Sequence, residues 1–282
     1  TSFGGMPIRT ASARWEGNLR RKSYRALLPA VAQIHVRPSR EVPLDLYSYS
    51  GEAMLPEQVR SIRSFLRHVG RPKSFTVVSD GSHRSRSIKL LRKIDPVVSV
   101  RPTGEHLPSN LPERFLHYVT THPLGKQLGL IMSLPRNGPA LYLDSDVLFF
   151  PGAADLVPDL ASSDAPALYL RDCQSCSADP RVLREPNESR EPVNSGLLLL
   201  LRPLDWSLAI RRFLELAGEP TFFTNQTLVH VVMHANGAAS FDVTRYVLQL
   251  DDQFIYRDRY AGPRLVLRHY VNPVRHKFWT TL

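Results

Sequence analysis

Two aspartates, Asp144 and Asp146, follow the apolar run 140–143 and offer the clearest chemistry in the sequence. Residues two apart in an extended chain lie on one face, so both carboxylates point in one direction. Like charges at the end of a buried strand repel unless a cation lies between them. Carboxylate oxygens suit Mn²⁺ or Mg²⁺, which keep positions open for phosphate oxygens. The pair therefore predicts a divalent metal site that takes a diphosphate. The alternative is that both residues cap a turn before a helix near 153–156.

The elements around this pair alternate between strand and helix. Alternating and continuous apolar patterns predict strands at 42–49, 74–78, 97–100 and 140–143, and helical spacing predicts helices at 56–70, 88–94 and 124–134. Repeated β-α-β units form an α/β fold, with a parallel sheet covered by helices. Such sheets bind ligands beyond the carboxyl ends of their strands, which is where the aspartates lie.

The two ends of the chain are less regular. The Arg-rich residues 1–41 are predicted to form an N-terminal extension, with a short helix broken at Pro29 and a strand, both within 24–36. A Pro-, Ser- and Asp-rich stretch at 158–192 is predicted to be a loop. Beyond it, the patterns predict strands at 196–201 and 264–269 and helices at 204–216 and 225–234.

Three motifs then occur in order along the chain. They are Leu141–Leu148 with the acidic pair, Val193–Leu199 with Asn-Ser-Gly, and His269-Tyr270 followed by basic residues. Together they resemble the GT-A glycosyltransferases, nearest to glycosyltransferase family 8, over about 44–279. The resemblance implies a Rossmann-like GT-A domain at 42–282, with a mostly parallel sheet flanked by helices. It also implies transfer of a hexose from a nucleotide sugar, a UDP-sugar, to an acceptor hydroxyl with retention of configuration.

The resemblance also implies roles for individual residues. The metal, Mn²⁺ or Mg²⁺, would be held by Asp144, Asp146 and His269. Catalytic contacts to the donor sugar would come from Asn194, Asn225 and Gln226. Other donor contacts would come from Tyr47, Ser48, Tyr49, Asp80, Lys126, Asp144, Ser145, Arg275 and Lys277. Since Tyr47 and Tyr49 share a face, only they or Ser48 can point at the base; plain sheet packing is the alternative for all three.

Two departures from the family pattern bear on activity. The family places a Lys six residues after its His, where this chain has Arg275, with Lys277 two residues later. Either side chain can neutralise a leaving diphosphate, so the choice between them stays open. The family's Asp-Gln pair is Asn225-Gln226 here. The lost charge puts the donor-sugar preference in question and leaves open a donor-binding protein with weak or no activity.

The composition and the absence of certain motifs disfavour other classes of function. The net charge of +10 suits an anionic partner, but a high-GC genome that encodes Arg in place of Lys is the alternative explanation. The basic residues are also spread along the chain, so no nucleic-acid partner is expected. A basic nucleic-acid-binding protein stays an alternative. So does a sugar-phosphate nucleotidyltransferase, although the Gly-rich signature expected near the first strand is only Tyr49-Ser50-Gly51-Glu52. Gly-x-Ser-x-Gly and P-loop patterns are absent, which disfavours α/β-hydrolases and P-loop NTPases.

The cysteine content and the hydropathy of the sequence bear on where in the cell the protein is located. Cys173 and Cys176 have C-x-x-C spacing, but no second pair completes a zinc site and the surroundings indicate a loop. Two cysteines in 282 residues favour a reducing, cytoplasmic location. No apolar run approaches the ~20 residues of a membrane span, so no transmembrane segment is expected, while peripheral membrane contact stays open.

Overall fold

A computed structural model describes residues 6–156, 163–174 and 178–281. Its strands are β1 (Glu41–Ser50), β2 (Arg71–Ser79), β3 (Val98–Pro102), β4 (Ala140–Leu143), β5 (Val147–Phe149), β6 (Ala167–Arg171), β7 (Val193–Leu200), β8 (Ala239–Ser240), β9 (Tyr246–Val247) and β10 (Leu267–His269). Its helices are α1 (Met6–Val31), α2 (Leu55–His68), α3 (Ser85–Ile94), α4 (Glu113–Thr121), α5 (Pro123–Met132), α6 (Ser207–Leu214), α7 (Thr224–Ala235) and α8 (Lys277–Thr280).

A central sheet has the strand order β3-β2-β1-β4-β7-β6-β8 within the described ranges. Strands β3, β2, β1 and β4 pair in parallel, and β7 runs antiparallel between β4 and β6. Helices α2 and α3 cover one face, and α4 to α7 cover the other. The predicted α/β class with a mostly parallel sheet is therefore confirmed. Burial on both faces explains why β4 and the second half of β7, Leu197–Leu200, are continuous apolar runs rather than alternating ones.

The reversed direction of β7 determines what lies at the end of β4. Leu143 pairs with Leu197, and the backbone N–H of Asp144 donates to the carbonyl of Gly196 over 2.8 Å. The first residues of β7, which include Asn194, therefore meet the last residues of β4. The predicted strand began too late, at 196, because Asn194 and Ser195 interrupt its apolar pattern.

A smaller sheet with the order β5-β10-β9 continues from the acidic motif. Strand β5 begins at Val147, directly after Asp146, and pairs antiparallel with β10 so that Val147 lies opposite His269. This pairing brings the C-terminal motif to the acidic pair, although 123 residues separate Asp146 from His269. The sequence pattern predicted β10 but not β5, which is only three residues long.

The N-terminal segment differs from its predicted form. Residues 6–31 form one helix that continues through Pro29, and no strand follows within 32–36. Pro29 lies in the last turn, where the ring interrupts little of the helix. The inner face of α1 packs on the rest of the chain through an ion pair between Arg21 and Glu57 and ring contact between Tyr24 and Trp279.

Other predicted elements agree within a few residues, but several short elements were missed, among them α4 and β6. Helix α4 was missed because it is short, although Phe115, Tyr118 and Val119 give it a buried face. Strand β6 lies inside 158–192 and corrects the loop predicted there; the polar composition around Ala167–Arg171 concealed its apolar core. Near the helix expected at 153–156 there is a 3₁₀ helix at Pro151–Asp155, and Leu156 after it is α-helical.

Two sequence-based expectations concern features outside the sheets. Cys173 is half-buried, and Cys176, the other cysteine of the C-x-x-C motif, lies outside the described residues. Among the described helices, none combines the length and the apolar character needed to span a membrane.

Candidate functional site

Asp144, Asp146 and His269 converge at the carboxyl end of β4. The distance from His269 Nε2 to Asp146 Oδ1 is 3.0 Å, and that to Asp144 Oδ2 is 3.6 Å. One ligand atom from each of the three residues lies within 4.8 Å of the others. Ser145 is buried between the aspartates. Two carboxylates and one imidazole form a donor set that fits Mn²⁺ or a similar divalent cation.

Electrostatics in the cluster are strongly coupled. Burial and the charge of Asp146 raise the pKa of Asp144, with His269 acting against them. Burial also opposes ionisation of Asp146, but His269 and Arg275 outweigh it and lower the pKa of Asp146. Both aspartates raise the pKa of His269 against the effect of its burial. The carboxylates thus attract positive charge, as expected of groups that hold a cation.

Asn194 fixes the orientation of the imidazole. Its Oδ1 accepts a hydrogen bond from the N–H of Gly196 and lies 3.0 Å from Nδ1 of His269. Its Nδ2 donates to Asp172 and to Gln226. Because Asp172 can only accept, the amide oxygen of Asn194 must face His269, so Nδ1 carries the proton. The lone pair of Nε2 is then available on the side of the aspartates, as a metal ligand requires.

Gly196 is needed for this close packing. A Cβ atom there would lie 2.2 Å from His269 Cε1 and 2.7 Å from Asp144 Oδ2. Distances below 3.0 Å do not occur for real Cβ atoms, so a larger residue would displace both side chains. The Asn-Ser-Gly motif therefore contributes both an orienting amide and the space for the imidazole.

Asp172 belongs to the site but was missed in the sequence. It follows β6, is buried, and accepts hydrogen bonds from Asn194 Nδ2 at 3.1 Å and from Gln226 Nε2 at 3.2 Å. Its carboxylate thus holds Asn194 and Gln226, two of the residues predicted to contact the donor sugar. The signal that could have found it is the apolar stretch 167–170, since an aspartate directly after a buried strand is the same pattern as Asp144 after β4.

A second polar chain connects the acidic pair to Asn225. Gln127 Nε2 donates to Asp144 Oδ1 at 3.0 Å and to the hydroxyl of Tyr142 at 2.7 Å. Tyr142 in turn donates to Asp144 Oδ1 at 2.9 Å. Gln127 Oε1 accepts from Asn225 Nδ2 at 2.9 Å. The contact from α5 to the acidic pair thus comes from Gln127, and the predicted Lys126 beside it is half-buried and does not line the cavity.

The structure separates the two basic candidates of the C-terminal segment. Arg275 Nη2 donates to Asp146 Oδ2 over 2.6 Å, and its side chain is 40% exposed. Lys277 is fully buried, and its Nζ donates to the backbone carbonyls of Ile255 and Arg257. Lys277 is turned inward because it begins α8, whose residues pack in the core. Arg275 is therefore the basic group at the site, and Lys277 is not.

The residues predicted from β1 and β2 lie on different faces. Ser48 is buried and donates to Gln58 on α2, away from the tyrosines, so it does not face a ligand. Tyr47 is buried against the ring of His106. Burial and Asp80 raise the pKa of Tyr49 to about 12, and its buried hydroxyl has no partner in the described ranges. Asp80, after β2, accepts from Ser82.

A cavity of about 340 Å³ opens over the cluster. Its polar lining consists of Gln127, Asp144, Asp146, Asp172, Gln174, Asn194, Ser195, Asn225, Gln226, His269, Asn272 and Arg275. Apolar side chains, among them Phe222, Phe223 and Leu248, form the remaining wall. Carboxylates and amides next to aromatic rings can bind the hydroxyls and the ring face of a sugar.

Solved structures with a similar fold are glycosyltransferases. The galactosyltransferase LgtC, in complex with donor and acceptor sugar analogues, matches with a TM-score of 0.53 and 15% identity over 81% of this chain and 87% of that chain. Mouse xyloside xylosyltransferase 1 matches with a TM-score of 0.52 and 13% identity over 83% of this chain and 99% of that chain. The chain has the GT-A fold. The glycosyltransferase GlyE of Streptococcus pneumoniae TIGR4 agrees, with a TM-score of 0.51 and 16% identity over 88% of this chain and 60% of that chain.

The GT-A fold confirms the predicted resemblance at the level of structure. No protein-family model and no curated protein matches the sequence. The identity to the solved structures is low, so the likeness concerns the fold, and the activity has to be argued from the site.

Proposed function

We propose that this chain is a metal-dependent glycosyltransferase that moves a hexose from a nucleotide sugar, a UDP-sugar, to an acceptor hydroxyl. The observation that carries the proposal is the convergence of Asp144, Asp146 and His269 at the edge of a GT-A sheet. His269 lies 123 residues after Asp146, so its meeting with the acidic pair is a property of the fold.

The donor diphosphate is proposed to bind between this cluster and Arg275. A bound divalent cation, Mn²⁺ or Mg²⁺, would neutralise charge on the diphosphate as the bond to the sugar breaks. Arg275 now forms an ion pair with Asp146, and its partly exposed guanidinium can donate two parallel hydrogen bonds to phosphate oxygens. Preorganised positive charge at a leaving group is among the largest contributions to catalysis.

The sugar is proposed to lie over the amide and carboxylate groups of the cavity. Gln226 and Asn194 are held by Asp172, which restricts their side chains before a ligand arrives. Asn225 uses its amide hydrogens on Gln127 and Leu124, which leaves Oδ1 to accept from a sugar hydroxyl. Retention of configuration fits a mechanism in which the departing phosphate oxygen takes the acceptor's proton, and it stays a proposal.

The nucleoside is proposed to bind near the ends of β1 and β2. The buried hydroxyl of Tyr49 and the carboxylate of Asp80 are the polar groups offered there. The division into an extension at 1–41 and a catalytic domain at 42–282, the cytoplasmic location and the lack of a nucleic-acid partner also stay predictions.

A thermal-shift panel of nucleotide sugars with and without Mn²⁺ tests the proposal. A ligand that binds only the folded state raises the melting temperature. We expect a Mn²⁺-dependent shift with UDP-sugars for the wild type and for the control Asp205→Asn, which changes an exposed aspartate at α6. We expect no shift for Asp146→Asn. A panel without any shift, or a shift that survives Asp146→Asn, would contradict the proposed site.

Turnover separates the remaining alternatives. Release of UDP from the donor that shifts the melting temperature would support transfer or hydrolysis at the site. Binding without release would indicate a donor-binding protein, as the neutral Asn225 allows. Salt-sensitive affinity for DNA or RNA that is unchanged in Asp146→Asn would instead favour the nucleic-acid-binding alternative.

A further inference from the structure

The outer face of α1 carries large apolar side chains that are exposed to solvent. Trp15 is 68% exposed and Leu27 58% exposed, and Leu19, one turn after Trp15, is also exposed. Basic residues flank this face, with Lys22 and Arg25 both exposed. Apolar and basic side chains side by side on one helix are typical of helices that lie on anionic membranes.

A loop beside α1 extends the apolar surface. Phe254, Ile255 and Tyr256 are exposed, and the Tyr256 hydroxyl donates to the carboxylate of Glu16, next to Trp15. From the inside, Lys277 donates to the backbone carbonyls of Ile255 and Arg257 at 2.6 and 2.7 Å. The loop is therefore held at both sides, and its apolar side chains are presented outward by defined contacts.

An arginine-lined cavity of about 880 Å³ lies beside this helix and loop. Helix α2 contributes Arg60, Arg63 and Arg67, and two further arginines, Arg20 and Arg257, line the cavity. Arg60 and Arg63 donate to backbone carbonyls, so these bonds leave their charges uncompensated. The acidic residues of the lining already form ion pairs, Glu16 with Arg20 and Asp258 with Arg268. The cavity therefore carries net positive charge, and its apolar floor includes Phe149 and Phe150.

We propose that this face docks on a bilayer that contains anionic phospholipids. The docking face consists of the outer face of α1, the loop 254–257 and the arginine-lined cavity. Trp15, Leu19 and Phe254 would enter the headgroup boundary, where amphipathic aromatic rings are favoured. The arginines of the cavity would bind lipid phosphates. Charge complementarity identifies the occupant, since the negative surface potential of such a bilayer attracts basic segments. The face shares no residue with the metal cluster, so the inference is independent of the proposed function.

Vesicle sedimentation of the full chain tests the inference. We expect binding to phosphatidylcholine vesicles to rise at least about tenfold when a third of the lipid is phosphatidylglycerol, and to fall with added salt. The double variant Lys22→Glu with Arg67→Glu is expected to lose most of this binding. The double variant Arg190→Glu with Arg211→Glu has the same net charge but lies away from the face, and it is expected to bind nearly as the wild type does.

Fluorescence of the unmodified protein provides an independent readout. Trp206 and Trp279 are buried, so Trp15 is the exposed one among the three tryptophans. Anionic vesicles should shift the emission to shorter wavelength, and Trp15→Ser should remove that shift. Emission that does not change, binding that ignores lipid charge, or equal losses in both double variants would overturn the inference. A dimer that Trp15→Ser dissociates in the absence of lipid would also overturn it, since a second copy would then occupy the face.

Discussion

Replacing Gln127 by Met tests whether the polar chain beneath the cavity positions Asn225. The two side chains have similar volume, so packing is largely preserved. The change removes the hydrogen bond to the Asp144 carboxylate and two neutral ones, to Tyr142 and from Asn225. A bond to a charged group contributes about 1.5–3 kcal/mol and a neutral one about 0.5–1.5 kcal/mol. We therefore expect the free energy of unfolding to fall by about 3 kcal/mol, because Asn225 can recover part of the loss.

Activity should fall for a different reason. Without Gln127, the amide of Asn225 can rotate, and it must be immobilised when the donor binds. Ordering one such side chain costs about 0.5–1.5 kcal/mol. This corresponds to a loss of about two- to twelvefold in kcat/KM for the donor identified by the thermal-shift panel.

Gln58→Met is the matched control. Gln58 is also fully buried, but it lies on α2 and accepts a hydrogen bond from Ser48 on the opposite face of β1. Urea unfolding should show a loss of about 1 kcal/mol for this variant. Its kcat/KM should equal that of the wild type. The reasoning is refuted if Gln127→Met keeps full activity, or if both variants lose activity to the same extent.

Three further predictions concern the site and the core. Gly196→Ala should abolish the Mn²⁺-dependent thermal shift because the added Cβ would displace His269. Gly104→Ala is the control and should keep the shift, since a Cβ there has no atom within 4 Å. Equal behaviour of the two variants would disprove the close-packing argument. Although burial opposes the ionisation of Asp179, hydrogen bonds lower its pKa to about 2, below the ordinary 3.8. The ionised carboxylate therefore contributes about 2 kcal/mol to the free energy of unfolding above pH 4, and this contribution is lost as the pH falls to 2. Urea unfolding at several pH values should show a flatter profile for Asp179→Asn; an unchanged slope would contradict this. Arg268→Met should lower the free energy of unfolding by about 3 kcal/mol, since it removes the guanidinium that pairs with the buried carboxylates of Asp252 and Asp258. A loss below about 1 kcal/mol would count against a structural role for these ion pairs.

The sequence predicted the sheet and its acidic edge because both depend on local patterns. Buried strands such as β4 are continuous apolar runs, and the helices between them have regular apolar spacing. The direction of β7 could not be predicted in this way. An apolar strand buried on both faces has the same pattern whether it runs parallel or antiparallel, and the direction decides whether Asn194 reaches Asp144.

The missed site residues share a physical cause. Gln127 and Asp172 act through hydrogen bonds to side chains that are distant in the sequence, which no periodicity records. Lys277, which the family resemblance offered together with Arg275 as a contact to the diphosphate, is buried instead. Its burial depends on how α8 packs against the loop that contains Ile255, a tertiary contact between segments about 20 residues apart.

The pairing of β5 with β10 has a consequence for how the protein becomes active during synthesis. Asp146 leaves the ribosome long before His269, and β5 has no partner of its own sheet until β10 emerges. The nascent polypeptide therefore carries its acidic pair without the imidazole until His269, 123 residues after Asp146, has been synthesised. Cation affinity should appear abruptly, as a sign that the segment containing β10 has folded into place.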